Sequence, residues 1–113
     1  MILISPWEPR EIVELIAQRG MTHKLPERYG ADFVIVTKHG KVAIQRKTVV
    51  DLIRSLEDGR LAREIPMLKR ADHPILVLEG WPDCTSDGHL MIQGASRYTK
   101  RQLRNVLRSI HYD

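Results

Sequence analysis

Asp32, Gln45 and Lys47 are the residues of this 113-residue chain whose types and spacing point to chemistry. Side chains alternate across a strand, so Gln45 and Lys47, two apart in Val42-Ala-Ile-Gln-Arg-Lys-Thr48, share one face while Arg46 takes the other. Asp32, in Gly30-Ala-Asp-Phe33, opens the preceding strand, and the twist of a paired ribbon brings its carboxylate toward that face. A hard divalent cation such as Mg²⁺ or Mn²⁺ wants oxygen ligands and keeps several of its waters. Asp32 offers a charged oxygen, Gln45 a neutral one, and the carbonyl of Ile44 or Arg46 a third. Lys47 would orient or help deprotonate an attacking water and offset negative charge in a phosphorane-like transition state. The same letters have a plainer reading. An Asp at a strand start is commonly a turn or cap residue, and Gln-x-Lys on a strand is commonly a solvated face.

The elements that must position these residues read as mixed α/β. Ile2-Leu-Ile4 is a short buried strand, and Ile12, Leu15 and Ile16 repeat at helical spacing after Pro9, with Gly20 as the expected stop. Phe33–Thr37 and Lys41–Lys47 are β-rich and flank Lys38-His-Gly40, a tight hairpin turn. Thr48 is placed to cap a helix whose inner side carries Val49, Leu52, Ile53 and Leu56, and Gly59 ends it. A further helix begins near Arg60, and Pro66 predicts a kink or fresh start inside it. Ile75-Leu-Val-Leu78, a continuous apolar run, predicts a central strand. The Asp-, Gly- and Ser-rich segment Trp81–Gly94 predicts a long loop, and an amphipathic helix follows from about Tyr98 to Ile110. Trp7 and Trp81 are expected in core packing, with base stacking as the alternative for Trp81.

Length and composition bound the rest. The chain suits one domain with a single core, and its 42% hydrophobic and 28% charged residues match an ordinary soluble globule. One cysteine, Cys84, excludes an intrachain disulfide and suits a reducing compartment. No apolar stretch approaches the roughly 20 residues of a membrane helix, and the start lacks the pattern of a signal peptide. An intracellular protein, cytoplasmic if bacterial or phage, is the expectation. The five histidines fit no zinc spacing. A net charge of +4 favours a polyanionic partner,. The basic residues gather in two stretches, Arg54, Arg60, Arg63, Lys69 and Arg70, and Arg97, Lys100, Arg101, Arg104 and Arg108. Taken singly, each stretch also reads as a solvated face.

Gly30-Ala-Asp-Phe33, Val42-Ala-Ile-Gln-Arg-Lys47, Asp51-Leu52, Ser55-Leu56 and Asp58-Gly-Arg-Leu61 together resemble the nuclease domain of the XPF-type structure-specific endonucleases, within the PD-(D/E)XK superfamily. That pattern runs Gly-Asp-aromatic, a strand ending Glu-Arg-Lys, then Asp-Leu and Ser-Leu/Ile-x-x-Gly-Arg-Leu. The likeness extends from Ile2 to Glu79 and more loosely to Ile110. It implies a restriction-endonuclease-like three-layer fold with a central mixed sheet flanked by helices. It also implies metal-dependent hydrolysis of phosphodiesters in branched or structured DNA during repair, recombination or replication, as in compact phage or bacterial nucleases.

The resemblance assigns Asp32 as a metal ligand, Arg46 and Lys47 as the Arg-Lys of the core motif, and Arg60 as an arginine near the DNA backbone. Glu8 stands for the acid that follows the first strand, although Ser5 occupies the place of the family's first-strand aspartate. Asp51 is either the supporting acid on the next helix or the capping-box partner of Thr48. Gln45 departs from the pattern, because it replaces the motif glutamate and removes a negative charge from the metal shell. The family's last strand and helix, which pair two nuclease domains, and its tandem helix-hairpin-helix module are expected to be missing. The expected site is Asp32, Gln45 and Lys47, with Mg²⁺ or Mn²⁺ on Asp32, Gln45 and Glu8. DNA phosphates are expected at Arg46, Arg54, Arg60 and Arg63, and a second copy or a partner subunit completes the assembly. The alternative is a catalytically inactive DNA-binding or scaffold subunit of the same fold.

Overall fold

A computed structural model describes residues 1–20, 22–25, 30–92 and 95–112. The chain divides into two compact units, Met1–Glu79 and Gly80–Asp113. The first contains β1 (Ile2–Ile4), α1 (Arg10–Ala17), β2 (Thr22–Lys24), β3 (Phe33–Thr37), β4 (Gly40–Thr48), α2 (Val49–Glu57), α3 (Arg60–Leu68) and β5 (His73–Glu79). Its strands form one sheet in the order β2-β1-β3-β4-β5. The sheet is mixed, because β1 with β2 and β4 with β5 run parallel while β3 is antiparallel to both its neighbours. This is the α/β class that the sequence called for.

The β3–β4 hairpin is the centre of the unit, and its local chemistry explains its turn. Thr37 Oγ1 donates to the carbonyl of Gly40 at 2.8 Å and accepts from the backbone N–H of His39 at 3.1 Å. Gly40 has φ +121°, and a Cβ there would lie 2.7 Å from the Asp72 carboxylate. That carboxylate in turn accepts from the N–H of Lys41 at 2.8 Å, which ties the turn to the segment leading into β5. On one sheet face Val34 and Ala43 pack with Leu25 and Leu68 as a buried core, joined by Leu3 and Ile65.

Where β4 ends, Thr48 turns extended and its side chain accepts from the N–H of Asp51 at 3.1 Å, capping α2 as expected,. Gly59 lies in the left-handed region at φ +80° between α2 and α3. Elsewhere the pattern misled. α1 stops at Ala17, with Gln18 rather than Gly20 at its end, and Leu15 is exposed while Ile12, Val13 and Ile16 are half-buried. In α2 it is Leu56 that is exposed and Ser55 that is buried. Pro66 causes no fresh start. α3 runs through it as one element, because the following turn is closed by Lys69 N–H donating to the Ile65 carbonyl at 2.9 Å.

β5 is an edge strand and not the expected central one, since among the described residues β4 alone pairs with it. Its apolar run does not mean burial on both faces, because Ile75 and Val77 point outward at 42% and 40% exposure.

In the second unit the expected long loop contains a strand. β6 (His89–Met91) pairs antiparallel with β7 (Ala95–Thr99), and α4 (Lys100–Tyr112) follows. The Asp-, Ser- and Gly-rich letters form a turn into that ribbon, in which Gly88 at φ +87° donates its N–H to the Thr85 carbonyl at 3.0 Å. The helix begins two residues later than expected, because Thr99 and Gln102 make a capping box. Gln102 N–H donates to Thr99 Oγ1 at 3.2 Å and Thr99 N–H to Gln102 Oε1 at 2.8 Å,. Trp7 and Trp81, expected in the core, are 85% and 49% exposed. Among the described residues no helix is long and apolar enough to cross a membrane.

Gly30 holds the approach to β3 against α3. Its φ is +58°, and a Cβ would lie 2.9 Å from the Cβ of Met67 and 3.0 Å from the carbonyl oxygen of Glu64. Gly30→Ala should therefore cost about 1–3 kcal/mol, combining left-handed strain with overpacking. A urea titration in which the variant matches the parent would show that this contact is not needed.

Candidate functional site

Asp32 owes its position to the β3–β4 pairing. The register sets Phe33 opposite Ile44, so continuing it by one residue sets Asp32 opposite Gln45. Two hydrogen bonds hold it there. The N–H of Asp32 donates to the Ile44 carbonyl at 2.8 Å, and the N–H of Arg46 donates to Asp32 Oδ2 at 2.6 Å. Asp32 and Gln45 line one open cleft of about 280 Å³ together with Ser5, Trp7 and Glu64. Glu8, Lys47 and the arginines expected at phosphates do not line it.

Lys47 lies two residues beyond Gln45 and is buried at 6% exposure. A buried ammonium needs partners. Among the described residues it has two, donating to Ser55 Oγ on α2 at 3.1 Å and pairing with Glu64 Oε2 on α3 at 3.0 Å. The Glu64 contact is an ion pair by distance only. Its oxygen is buried and receives no hydrogen bond of usable alignment.

Arg46 leaves β4 to a different set of partners, bonding Glu79 at the end of β5 and Glu8 before α1. The Glu79 bond, together with the charges of Glu8, Glu79 and Asp32, holds the guanidinium in its charged form against the cost of burial. Burial raises the Glu8 carboxyl above its ordinary range; the neighbouring Asp32 charge and a hydrogen bond to that carboxyl raise it further, while Arg46 pulls the other way. Asp32 is also raised, again by burial first, against the lowering effects of the Arg46 N–H, the Arg46 charge and Lys47. The contact between the two carboxyls raises Glu8 and lowers Asp32, so the two acids titrate as a coupled pair.

The remaining expected residues lie on the surface. Asp51 is exposed on the first turn of α2, where its N–H serves the Thr48 cap. Arg54, Arg60 and Arg63 are exposed, and Arg60 pairs with Asp58 at 2.7 Å. Ser55 was visible only as part of the Ser-Leu motif, and its role as a Lys47 acceptor was hidden because a serine breaks an apolar stripe. Glu64 was missed, since nothing in Arg63-Glu-Ile65 marks an acid that turns toward a strand. Among the described residues no three His, Cys, Asp or Glu side chains form a ready cation cage. The cleft instead offers two carboxylates and an amide.

The raised carboxyls make a signed prediction. Between the ordinary carboxylate range and the raised values the folded state binds more protons than the unfolded chain, so Glu8 and Asp32 reduce stability as pH rises through that window. Asp32→Asn keeps an oxygen for the Arg46 N–H and removes one of the two like charges. In metal-free buffer it should melt at a higher temperature than the parent at pH 7, with the advantage shrinking toward pH 4. A lower melting temperature at pH 7 would mean that Asp32 is stabilised by Arg46 more than it is penalised by burial.

The chain matches the family described as the ERCC4 domain over residues 7–111. No curated protein matches it.

Proposed function

Because the chain belongs to the ERCC4-domain family, a family of nucleases, and has its nuclease fold of mixed sheet and helices, we propose that it is a DNA endonuclease. It hydrolyses phosphodiester bonds with Mg²⁺ or Mn²⁺, and branched or structured DNA met in repair, recombination or replication is the proposed substrate. The observation that carries this reading is Asp32 set opposite Gln45 in one cleft, with Lys47 two residues along the same strand face.

The residues of the cleft fit a hard cation. Their donors are all oxygen, the cleft is open enough to leave waters on the ion, and a buried Glu64 oxygen lacks an aligned donor,. Asp32 and Gln45 are the proposed ligands. When bound, the ion would lower the pKa of a water and polarise the scissile phosphate. Lys47, already a donor to Ser55, orients the attacking water and offsets charge developing on the phosphoryl oxygens. Its pairing with Glu64 suits that role better than proton abstraction. Glu8 is proposed to act mainly through Arg46, and Arg46, engaged at Glu8 and Glu79, to hold the site's acids in place, with a phosphate contact secondary. Arg54, Arg60 and Arg63 are the proposed phosphate contacts, being exposed on consecutive helices. Asp51, on the same surface, is proposed as a supporting acid.

One observation favours a second reading. With an amide at position 45 the cleft has less charge than the motif glutamate would give, which suits a DNA-binding or scaffold subunit that does not cut. Fluorescent duplex, single-stranded, flap and four-way-junction DNA in Mg²⁺ and in Mn²⁺ separate the two. The parent should cut, and Lys47→Ala should be slower by about a hundredfold or more. Arg54→Ala and Arg60→Ala should each lower the salt dependence of binding by about one unit of slope. Salt-dependent binding without cleavage by the parent would establish the scaffold reading instead.

A further inference from the structure

We propose that Glu64 supplies the second carboxylate of the cation site, on α3, in place of the acid that position 45 lacks. The inference rests on the metal-dependent reading above and adds a ligand that the strand motif does not contain. Three observations carry it. Glu64 lines the same cleft as Asp32 and Gln45. Its Oε2 is buried, and although Nζ of Lys47 is 3.0 Å away no donor is aligned on it. A buried carboxylate oxygen without an aligned donor is costly, and a cation in the cleft would relieve that cost.

The third observation is positional. Gly30 allows the segment leading to Asp32 to lie against the backbone of Glu64 itself, at a distance that a side chain at position 30 would prevent. The close approach fixes α3 beside the strand that carries Gln45. A glycine at φ +58° packed against Met67 and the Glu64 carbonyl lets the segment that leads to Asp32 lie on the α3 backbone.

Charge decides why the site needs Glu64. Asp32 and neutral Gln45 in the cleft, with the buried Lys47 ammonium behind Glu64, sum to zero, which gives a divalent cation little reason to enter. Glu64 brings the cleft to a net negative charge while leaving Lys47 its bond to Ser55. Glu8 cannot replace it. Glu8 is bound to Arg46 and does not line the cleft. Asp32 and Glu64 as charged ligands, Gln45 as a neutral one and retained waters would supply the oxygens of an octahedral shell for Mg²⁺ or Mn²⁺.

Mn²⁺ alone is the probe, titrated against the full chain and followed by loss of the free-ion electron paramagnetic resonance signal. Cleavage of the same DNA panel is measured in parallel. Glu64→Gln should weaken Mn²⁺ binding about tenfold or more, and adding Gln45→Glu to it should recover most of the loss, because the carboxylate returns to the same cleft from the strand. The double variant also guards against misfolding, since it restores the charge that Lys47 loses. Unchanged Mn²⁺ affinity in a folded Glu64→Gln protein overturns the proposal, and so does a double variant that folds but does not recover, because Glu64 then acts only as the counter-ion of Lys47. In both cases, cleavage by the parent leaves the nuclease reading intact. A parent that neither binds Mn²⁺ nor cuts overturns both.

Discussion

The hydrogen bond from the Arg46 N–H to the Asp32 carboxylate is the constraint on which the site depends. Together with the Asp32 N–H bond to Ile44 it extends the β3–β4 ladder by one residue beyond the end of β3. That extra rung sets Asp32 across from Gln45. A slip of one residue would send Gln45 and Lys47 to the opposite face. The Arg46 side chain adds a second tie, because its guanidinium joins the end of β5 to the segment before α1. One residue therefore holds the acid through its backbone and the surrounding carboxylates through its side chain.

Lys47 explains the arrangement on the helical side. Burying an ammonium is tolerable only if its donors are used, and its partners come from both helices, Ser55 on α2 and Glu64 on α3. The Thr48 cap starts α2 directly after β4, and the left-handed Gly59 turns the chain from α2 into α3. The lysine proposed for the chemistry is thus also an anchor for the helices around it. Removing it would disturb packing along with the proposed chemistry, which is why charge-swapped pairs separate the two roles better than simple truncation.

Legibility in the sequence followed how local each signal was. The hairpin, the Thr48 cap and the Gly59 turn were readable because each depends on neighbours a few residues away, and the motif around Asp32 and Lys47 carried the fold class. Burial of β5 was misread, since an apolar run looks the same at a sheet edge as at its centre. Ser55, Glu64 and Trp7 were misplaced or missed for a related reason. The surroundings of Glu64 are set by Lys47 and Gly30, far away in the chain, and Ser55 is buried because it serves Lys47 on the preceding strand. Pro66 was read as a break because a proline removes one bond, but the turn after it is closed by another. The strand inside Trp81–Gly94 was hidden by turn-forming letters that in fact lead into it.

The charge distribution then links the fold to the proposed chemistry. Asp32 and Glu8 are both raised by burial, so the acids lie where a cation would be welcome, while the exposed arginines of α2 and α3 lie where a phosphate backbone would be. The central claim is that the cleft beside Asp32 and Gln45 is a divalent-cation site. Its most direct test is anomalous diffraction at the manganese edge from crystals soaked in Mn²⁺. A peak in that cleft, roughly 2.0–2.3 Å from an Asp32 oxygen, is the expected result. A saturated crystal with no peak there would contradict the account.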